Sequence, residues 1–417
     1  MRLTFLFLLS ACSNPLTVIG DDTADSVLLT DAGPLAHLGS AMGVDDATAS
    51  DLFDSDLTFG DAPDPSAWLA SEHTAHAQLA DGTGQSLSVL TFNTGLLNRT
   101  YLLSRVQVPF TDERAAVMGE EVFSAGHDIV FLQEVWEVED AERLQAAAES
   151  EGYTVARPDT NKLQRETGLV MAVRSELIGD TPTVDVIQYD AQWGSENFPG
   201  PNLKRGYLHW RFMLADTEAQ VDLYNTHLTP FYDKWQTRNL QVRQLGLDIA
   251  SQSDDALVLV GGDFNAGWYY ADDTWTDAEG EVYPGWWRNP TMPALLSHYA
   301  GVTDLANLAE AIPEVERGNA VSLDTDSTWL DEPFGDETVC DGANHFTATD
   351  CNSLYWTSYA ATEFPARMDL LFVRDGTGQL RARSRSLAFV EPVDVGTDSP
   401  VELSDHFGQQ VTLEIID

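Results

Sequence analysis

Between Arg2 and Arg99 this chain has no lysine or arginine at all. Across its 417 residues, 22 basic side chains face 67 acidic ones, for a formal charge of -45 and a pI near 4.1. A surface so acidic repels polyanions within a Debye length, which handicaps tight non-specific binding to nucleic acid. The same imbalance also suits a salty medium or plain solubility. Cysteine is scarce too, with three residues. No internal repeat is present, and the first apolar run, Leu3 to Leu9, is too short to cross a bilayer as a helix. Hydrophobic residues are not lacking: at 43% they suffice for a sizeable core.

What is present at the start is a leader pattern. Met1-Arg2 makes a minimal basic region, Leu3 to Leu9 an apolar one, and Leu9-Ser10-Ala11-Cys12 places small residues before a cysteine, similar to the lipobox of bacterial lipoproteins. On that reading residues 1–12 are an export signal, Cys12 carries lipid, and the protein is anchored to a bacterial cell envelope. A plain signal peptide (and secretion) or a misassigned start codon is the alternative. Residues 13–85 are rich in Asp, Ala, Ser, Thr and Gly with little apolar periodicity, and read as an acidic disordered tether. Cys340 and Cys351, close together in a turn-rich stretch, would pair in an oxidising compartment. With His345 the only suitable neighbour, a zinc site is not expected.

From Ser86 the texture changes. Leu87 to Phe92 alternates as a strand ending at Asn93, and Asp128 to Leu132 is an apolar run typical of a buried strand. Further strands are read at 169–173, 207–214, 221–225, 257–260, 368–373 and 408–415, with helices at 113–123, 139–150 and 233–251. Residues 266–365 read as an irregular, aromatic-rich insert. Mixed strands and helices over residues 86–417 suit one α/β domain of two packed sheets flanked by helices.

Polar residues interrupt or end these strands in a definite order: Asn93, Glu134, His227, Asp263 with Asn265, Asp369, and Asp405 with His406. The local strings are Thr-Phe-Asn-Thr, Phe-Leu-Gln-Glu-Val, Tyr-Asn-Thr-His-Leu, Gly-Gly-Asp-Phe-Asn, Arg-Met-Asp-Leu-Leu-Phe and Ser-Asp-His-Phe. Taken singly, each is an ordinary turn, cap or buried polar residue. Side chains at the ends of neighbouring strands can converge on one edge of a sandwich, where sites are commonly built.

This order and wording resemble the endonuclease/exonuclease/phosphatase superfamily, which includes DNase-I-like nucleases, inositol-phosphate phosphatases and neutral sphingomyelinases. Within it the chain looks closest to bacterial sphingomyelinases C, through Thr226-His227-Leu228 before a long Gln/Arg helix and Ser327-Thr328-Trp329 ahead of Arg367-Met368-Asp369. Leu370 stands where an aromatic is usual, and the segment after Asn265 is unusually long. The resemblance implies a DNase-I-like four-layer α/β sandwich of two mixed sheets flanked by helices. It also implies a Mg²⁺ site with Glu134 as principal ligand, Asn93 beside it and Asp405 completing it. His406 would be the general base, oriented by Asp369. Asp263 and Asn265 would position water and phosphate, and His227 would stabilise phosphoryl oxygens or protonate the leaving group.

A phosphodiester is the implied substrate. The acidic surface disfavours DNA, although Lys162, Arg165, Lys204 and Arg205 could form a local basic rim. Trp286-Trp287 is either an exposed interfacial wedge or part of the insert's own packing. A phospholipase C-like activity on a phospholipid headgroup is therefore expected. A surface or secreted DNase-I-like endonuclease and a non-catalytic surface lipoprotein are the rivals.

Overall fold

Burial is nearly continuous along the central strands, because both faces of each sheet are covered. In the computed structural model, β1 (Ser86–Asn93) and β4 (Ile129–Gln133) lie parallel at the heart of a six-stranded sheet. Its order is β15 (Leu380–Ala388), β16 (Gly408–Ile415), β1, β4, β6 (Val170–Arg174) and β5 (Tyr153–Ala156). A second six-stranded sheet runs β13 (Thr303–Asp304), β14 (Asp369–Asp375), β10 (Leu257–Asp263), β9 (Gln220–His227), β8 (Gly206–Met213) and β7 (Thr183–Gln188). Its central pair, β9 and β10, is again parallel. Two hairpins stand apart, β2 (Asn98–Tyr101) with β3 (Ser104–Gln107) and β11 (Thr274–Thr276) with β12 (Val282–Pro284).

The structure describes residues 86–101, 104–192, 203–215, 217, 219–230, 235–252, 256–265, 274–276, 282–284, 303–304, 354, 368–375 and 380–415. The leader with Cys12, the 13–85 tether, Cys340 and Cys351, Trp286-Trp287 and Ser327-Thr328-Trp329 lie outside the described residues.

The two sheets pack face to face. Leu87 and Val89, Ile129 and Phe131, and Met171 and Val173 of one meet Leu208, Trp210, Val221, Leu223, Leu257, Leu259 and Leu371 of the other. Each such side chain contributes about 1.5–3 kcal/mol relative to exposure, which fixes the sheets as layers. On the outer face of the first sheet lie α1 (Thr111–Ser124) and α2 (Val138–Ser150), whose Met118, Val122, Ala141, Leu144 and Ala148 cover Leu90, Phe92, Val130 and Leu132. On the outer face of the second, Val242, Leu245 and Ile249 of α4 (Trp235–Ala250) cover Tyr224, Val258, Val260 and Phe372. The result is the expected four-layer α/β sandwich.

Sequence reading departs from the structure at several places. β9 and β10 run on through His227 and Asp263, beyond the apolar runs that announce them, because a central strand keeps ladder partners on both sides. β5, β7, β15 and the short helix α3 (Asn161–Thr167) carry little apolar patterning and are missed. The three strands sit at sheet edges, where only one flank is paired and burial demands less of the sequence. The 266–365 insert is not wholly irregular: the β11–β12 hairpin lies inside it, and β13 extends the second sheet.

Candidate active site

Period-two alternation carries the inner face of each sheet past the hydrocarbon. In β1 it runs Leu87, Val89, Thr91, Asn93; in β4 Ile129, Phe131, Gln133; in β9 Val221, Leu223, Asn225, His227; in β10 Leu257, Leu259, Gly261, Asp263. One end of the inter-sheet space is therefore polar, and that end collects every predicted site residue lying within the described chain. Register does the assembly. Asp263 pairs with His227 on one side and with Asp369 on the other, placing three functional groups in one row. Asn93 pairs with Gln133, so Glu134 follows immediately beside it. β16 runs antiparallel to β1 with Gln409 opposite Thr91, which brings the preceding Asp405 and His406 to the same end.

The contacts are close. His406 Nδ1 lies 2.8 Å from Asp369 Oδ2, with both residues buried. Asn93 Nδ2 donates to Asp263 Oδ2 at 2.9 Å, and Asn93 Oδ1 accepts from the Gly95 N–H at 3.0 Å. His227 Nε2 stands 3.3 Å from Asp263 Oδ2 and 3.9 Å from Glu134 Oε1. The Asn265 N–H donates to Asp263 Oδ1 at 2.8 Å, and its amide reaches Leu228 O at 3.1 Å. Glu134 and Asn265 both hold left-handed backbones, at φ 60° and 48°, just where their strands turn away from the sheet. Strain of this kind persists only where surrounding structure enforces it.

Electrostatics follow from burial of so many acids. Burial raises Glu134, with Asp405 adding to the push and Arg205 opposing it, up to about 7. Burial and then Asp369 raise Asp263 to about 6. Burial alone would lower His406, but Asp369, Asp263 and Asp405 outweigh it and bring the imidazolium to about 10. His227 is driven well below its ordinary value by burial, with Arg205 and His406 adding to the effect. The shift favours its neutral form, and among the described residues its Nδ1 has no hydrogen-bond partner. Of the two roles expected for His227, hydrogen bonding to a phosphoryl oxygen is the one that a lowered proton affinity favours.

Two donor sets could hold a metal ion. Asp263, Asp369 and His406 offer atoms within 4.8 Å of one another, but His406 Nδ1 is already engaged with Asp369. Glu134, half-buried, and Asp405, buried, are instead like charges that repel one another. Beside them Asn93 Oδ1 keeps a second lone pair. Crowded, hard anionic oxygen donors fit a hard divalent cation.

Of the four residues read as a possible basic rim, Arg205 is buried, while Lys162 and Arg165 remain at the surface in loose ion pairs. Lys162 lies 3.6 Å from Glu166 and Arg165 3.6 Å from Glu137, pairs that leave both cations solvated. Arg205 is buried with its guanidinium 5.3 Å from the Trp136 ring centre, and its backbone is held by both ends of the Gln192 amide at 2.7 and 2.8 Å. A flat cation that covers an aromatic face gains more there than at a wet rim.

Sequence reasoning gave no role to Gln133 and Asn225, although both stand inside quoted motifs. Gln133 Nε2 donates to Asn225 Oδ1 at 2.8 Å across the two sheets, and Asn225 Nδ2 donates to Leu132 O and Val170 O at 2.9 and 2.8 Å. The usable signal was their position: each continues the inner-face alternation of its strand, where a buried amide must find partners.

The sequence profile described as the Endonuclease/Exonuclease/phosphatase family matches residues 90–406. No curated protein matches the chain. Among solved structures, D. rerio TDP2 complexed with a single-strand DNA product is 18% identical over 79% of this chain and 99% of the other, with a TM-score of 0.50. Staphylococcus aureus beta toxin 275-280 is 13% identical over 78% and 99%, at 0.48. The human Nocturnin catalytic domain with bound sulfate is 16% identical over 79% and 93%, at 0.46. At these identities the likeness concerns the fold.

Proposed function

The chain belongs to the endonuclease/exonuclease/phosphatase family, and from that premise we propose that it is an exported, Mg²⁺-dependent phosphodiesterase of the sphingomyelinase or phospholipase C type. The family's enzymes hydrolyse phosphoester bonds. The observation that carries the reaction class is the buried row His227, Asp263 and Asp369, with His406 2.8 Å from Asp369 and Glu134 and Asp405 alongside.

Glu134, Asp405 and Asn93 would hold a hard divalent cation, which would supply neutralisation of phosphoryl charge and a more acidic water. Asp369 fixes the His406 ring through Nδ1 and leaves Nε2 to take the proton of the attacking water. Water oxygen bonds to phosphorus as the bond to the leaving oxygen breaks; the leaving oxygen takes a proton from solvent, and the His406 imidazolium returns its own to solvent. Asp263 and Asn265 orient the water and the phosphate, and neutral His227 hydrogen-bonds to a phosphoryl oxygen. His406 acts as a base only once its imidazolium has lost the proton that the surrounding carboxylates now stabilise.

The choice of a lipid headgroup rests on charge. A polyanion meets repulsion from a chain of net charge -45, whereas a zwitterionic phosphocholine group does not. Lipidation at Cys12 and the 13–85 tether would hold the catalytic domain at a membrane. The test is side-by-side incubation with sphingomyelin liposomes and plasmid DNA, with Mg²⁺ and with EDTA. Mg²⁺-dependent release of phosphocholine is expected. Cleavage of plasmid with intact liposomes would favour the endonuclease reading, and inertness toward both the non-catalytic one.

A further inference from the structure

We propose that Arg114 and Ser404 form a clamp that positions the metal-binding side chains, a role that rests on the metal-dependent reading above. Arg114 projects from α1 and is fully buried. Its guanidinium donates through Nε to Pro109 O at 3.0 Å, through Nη1 to Thr94 O and Leu403 O at 2.9 Å each, and through Nη2 to Gly95 O at 2.6 Å. One side chain thus ties the loop after β1 to the loop before β16, which are remote in sequence. Asn93 sits at the start of the first loop, and Asp405 and His406 lie in the second.

Ser404 adds a second tie between the same loops. Its hydroxyl donates to Asn93 O at 2.7 Å and accepts from the His406 N–H at 3.2 Å, with Asp405 Oδ1 also 3.2 Å away. Space between the loops is minimal: a Cβ on Gly95, whose φ is +54°, would stand 2.1 Å from Asp405 Oδ1. Only a residue without a side chain lets the carboxylate lie against this turn.

Charge and geometry act together. Burial lowers Arg114 to about 10, with Asp405 and then Glu134 opposing the fall, so it stays cationic at neutral pH beneath two acids that repel one another. A flat fork of five donors reaches several carbonyls at once, which an ammonium on a flexible stem does not reproduce. Partners that orient metal ligands are the ones whose loss weakens metal affinity.

The experiment uses the full chain with Ser404→Ala and Arg114→Lys, and reads the Mg²⁺ concentration giving half of the full thermal shift, without substrate. Turnover at saturating Mg²⁺ is read alongside, and circular dichroism checks folding. Each folded variant should need roughly tenfold or more Mg²⁺ for the half-shift, with turnover partly restored at saturation. Should Arg114→Lys not fold, Ser404→Ala, which removes a single hydroxyl, decides. Lower melting temperatures with half-shift concentrations within about twofold of the parent make the pair merely structural and overturn the clamp. A parent chain without any Mg²⁺-dependent shift rejects the metal-dependent reading itself, and the clamp with it.

Discussion

At the scale of single residues the site is a set of acids whose mutual repulsion is its most usable property. Glu134 is raised to about 7 from an ordinary 4.5, so between those values the native state keeps a proton that the unfolded chain has released. Its contribution to stability therefore falls as pH rises through that window, and a bound cation reverses the loss. The Mg²⁺-induced rise in melting temperature should accordingly grow from pH 5 to pH 8. A shift independent of pH would remove Glu134 from the ligand set. His406 gives a second expectation. His406→Ala should lower turnover by roughly two to four orders of magnitude, with Asp369→Asn less severe, because the first removes the base and the second only its orientation. Rates over a pH series should rise as the His406 imidazolium is lost, and added Mg²⁺ should move that limb to lower pH, since a nearby cation disfavours the protonated ring. Folded His406→Ala with near-normal turnover would transfer the base role elsewhere.

At the scale of elements the strands do the positioning. Pairing of β9, β10 and β14 sets His227, Asp263 and Asp369 abreast, while β1 and β4 deliver Asn93 and Glu134 from the facing sheet. The sheets must then be held close at this end, where hydrocarbon is scarce. Gly261 permits it: a Cβ there would stand 2.5 Å from the Phe131 ring. Gly261→Ala should cost about 1–3 kcal/mol through overpacking, measured by denaturant unfolding, and should lower turnover by separating Glu134 from His227. Unchanged stability would show that the sheets have slack here. The Gln133–Asn225 amide pair provides the complementary tie, and Asn225→Leu should be destabilising because it leaves the carbonyls of Leu132 and Val170 without that donor.

At the scale of the whole molecule, charge separates the substrate readings. Electrostatic repulsion from a surface of net charge -45 is screened by salt. If a phospholipid headgroup is the substrate, hydrolysis of neutral sphingomyelin vesicles should vary little between low and moderate salt. Any hydrolysis of DNA should instead rise with added salt as repulsion is screened, opposite to the usual behaviour of cationic nucleases. A DNA rate that falls steeply with salt would point to a basic binding surface and against the lipid reading.

By itself the sequence determined which residues are chemically able to form the site and where the central strands run. Alternation announces β1 and a continuous apolar run announces β10, and functional groups close to their ends are readable because buried strands tolerate polar residues only where partners await them. The edge strands β5, β7 and β15 were not legible, since one-sided pairing leaves a weak imprint on composition. Only the tertiary structure decided that Asn93, Glu134, Asp263, Asp369, Asp405 and His406 meet, because strand register and loop ties between distant segments set their spacing. Tertiary packing also turned Arg205 inward onto Trp136, gave Arg114 four carbonyls to hold, and raised the proton affinity of Glu134. These outcomes depend on burial and on neighbours far away along the chain, and local residue order encodes neither.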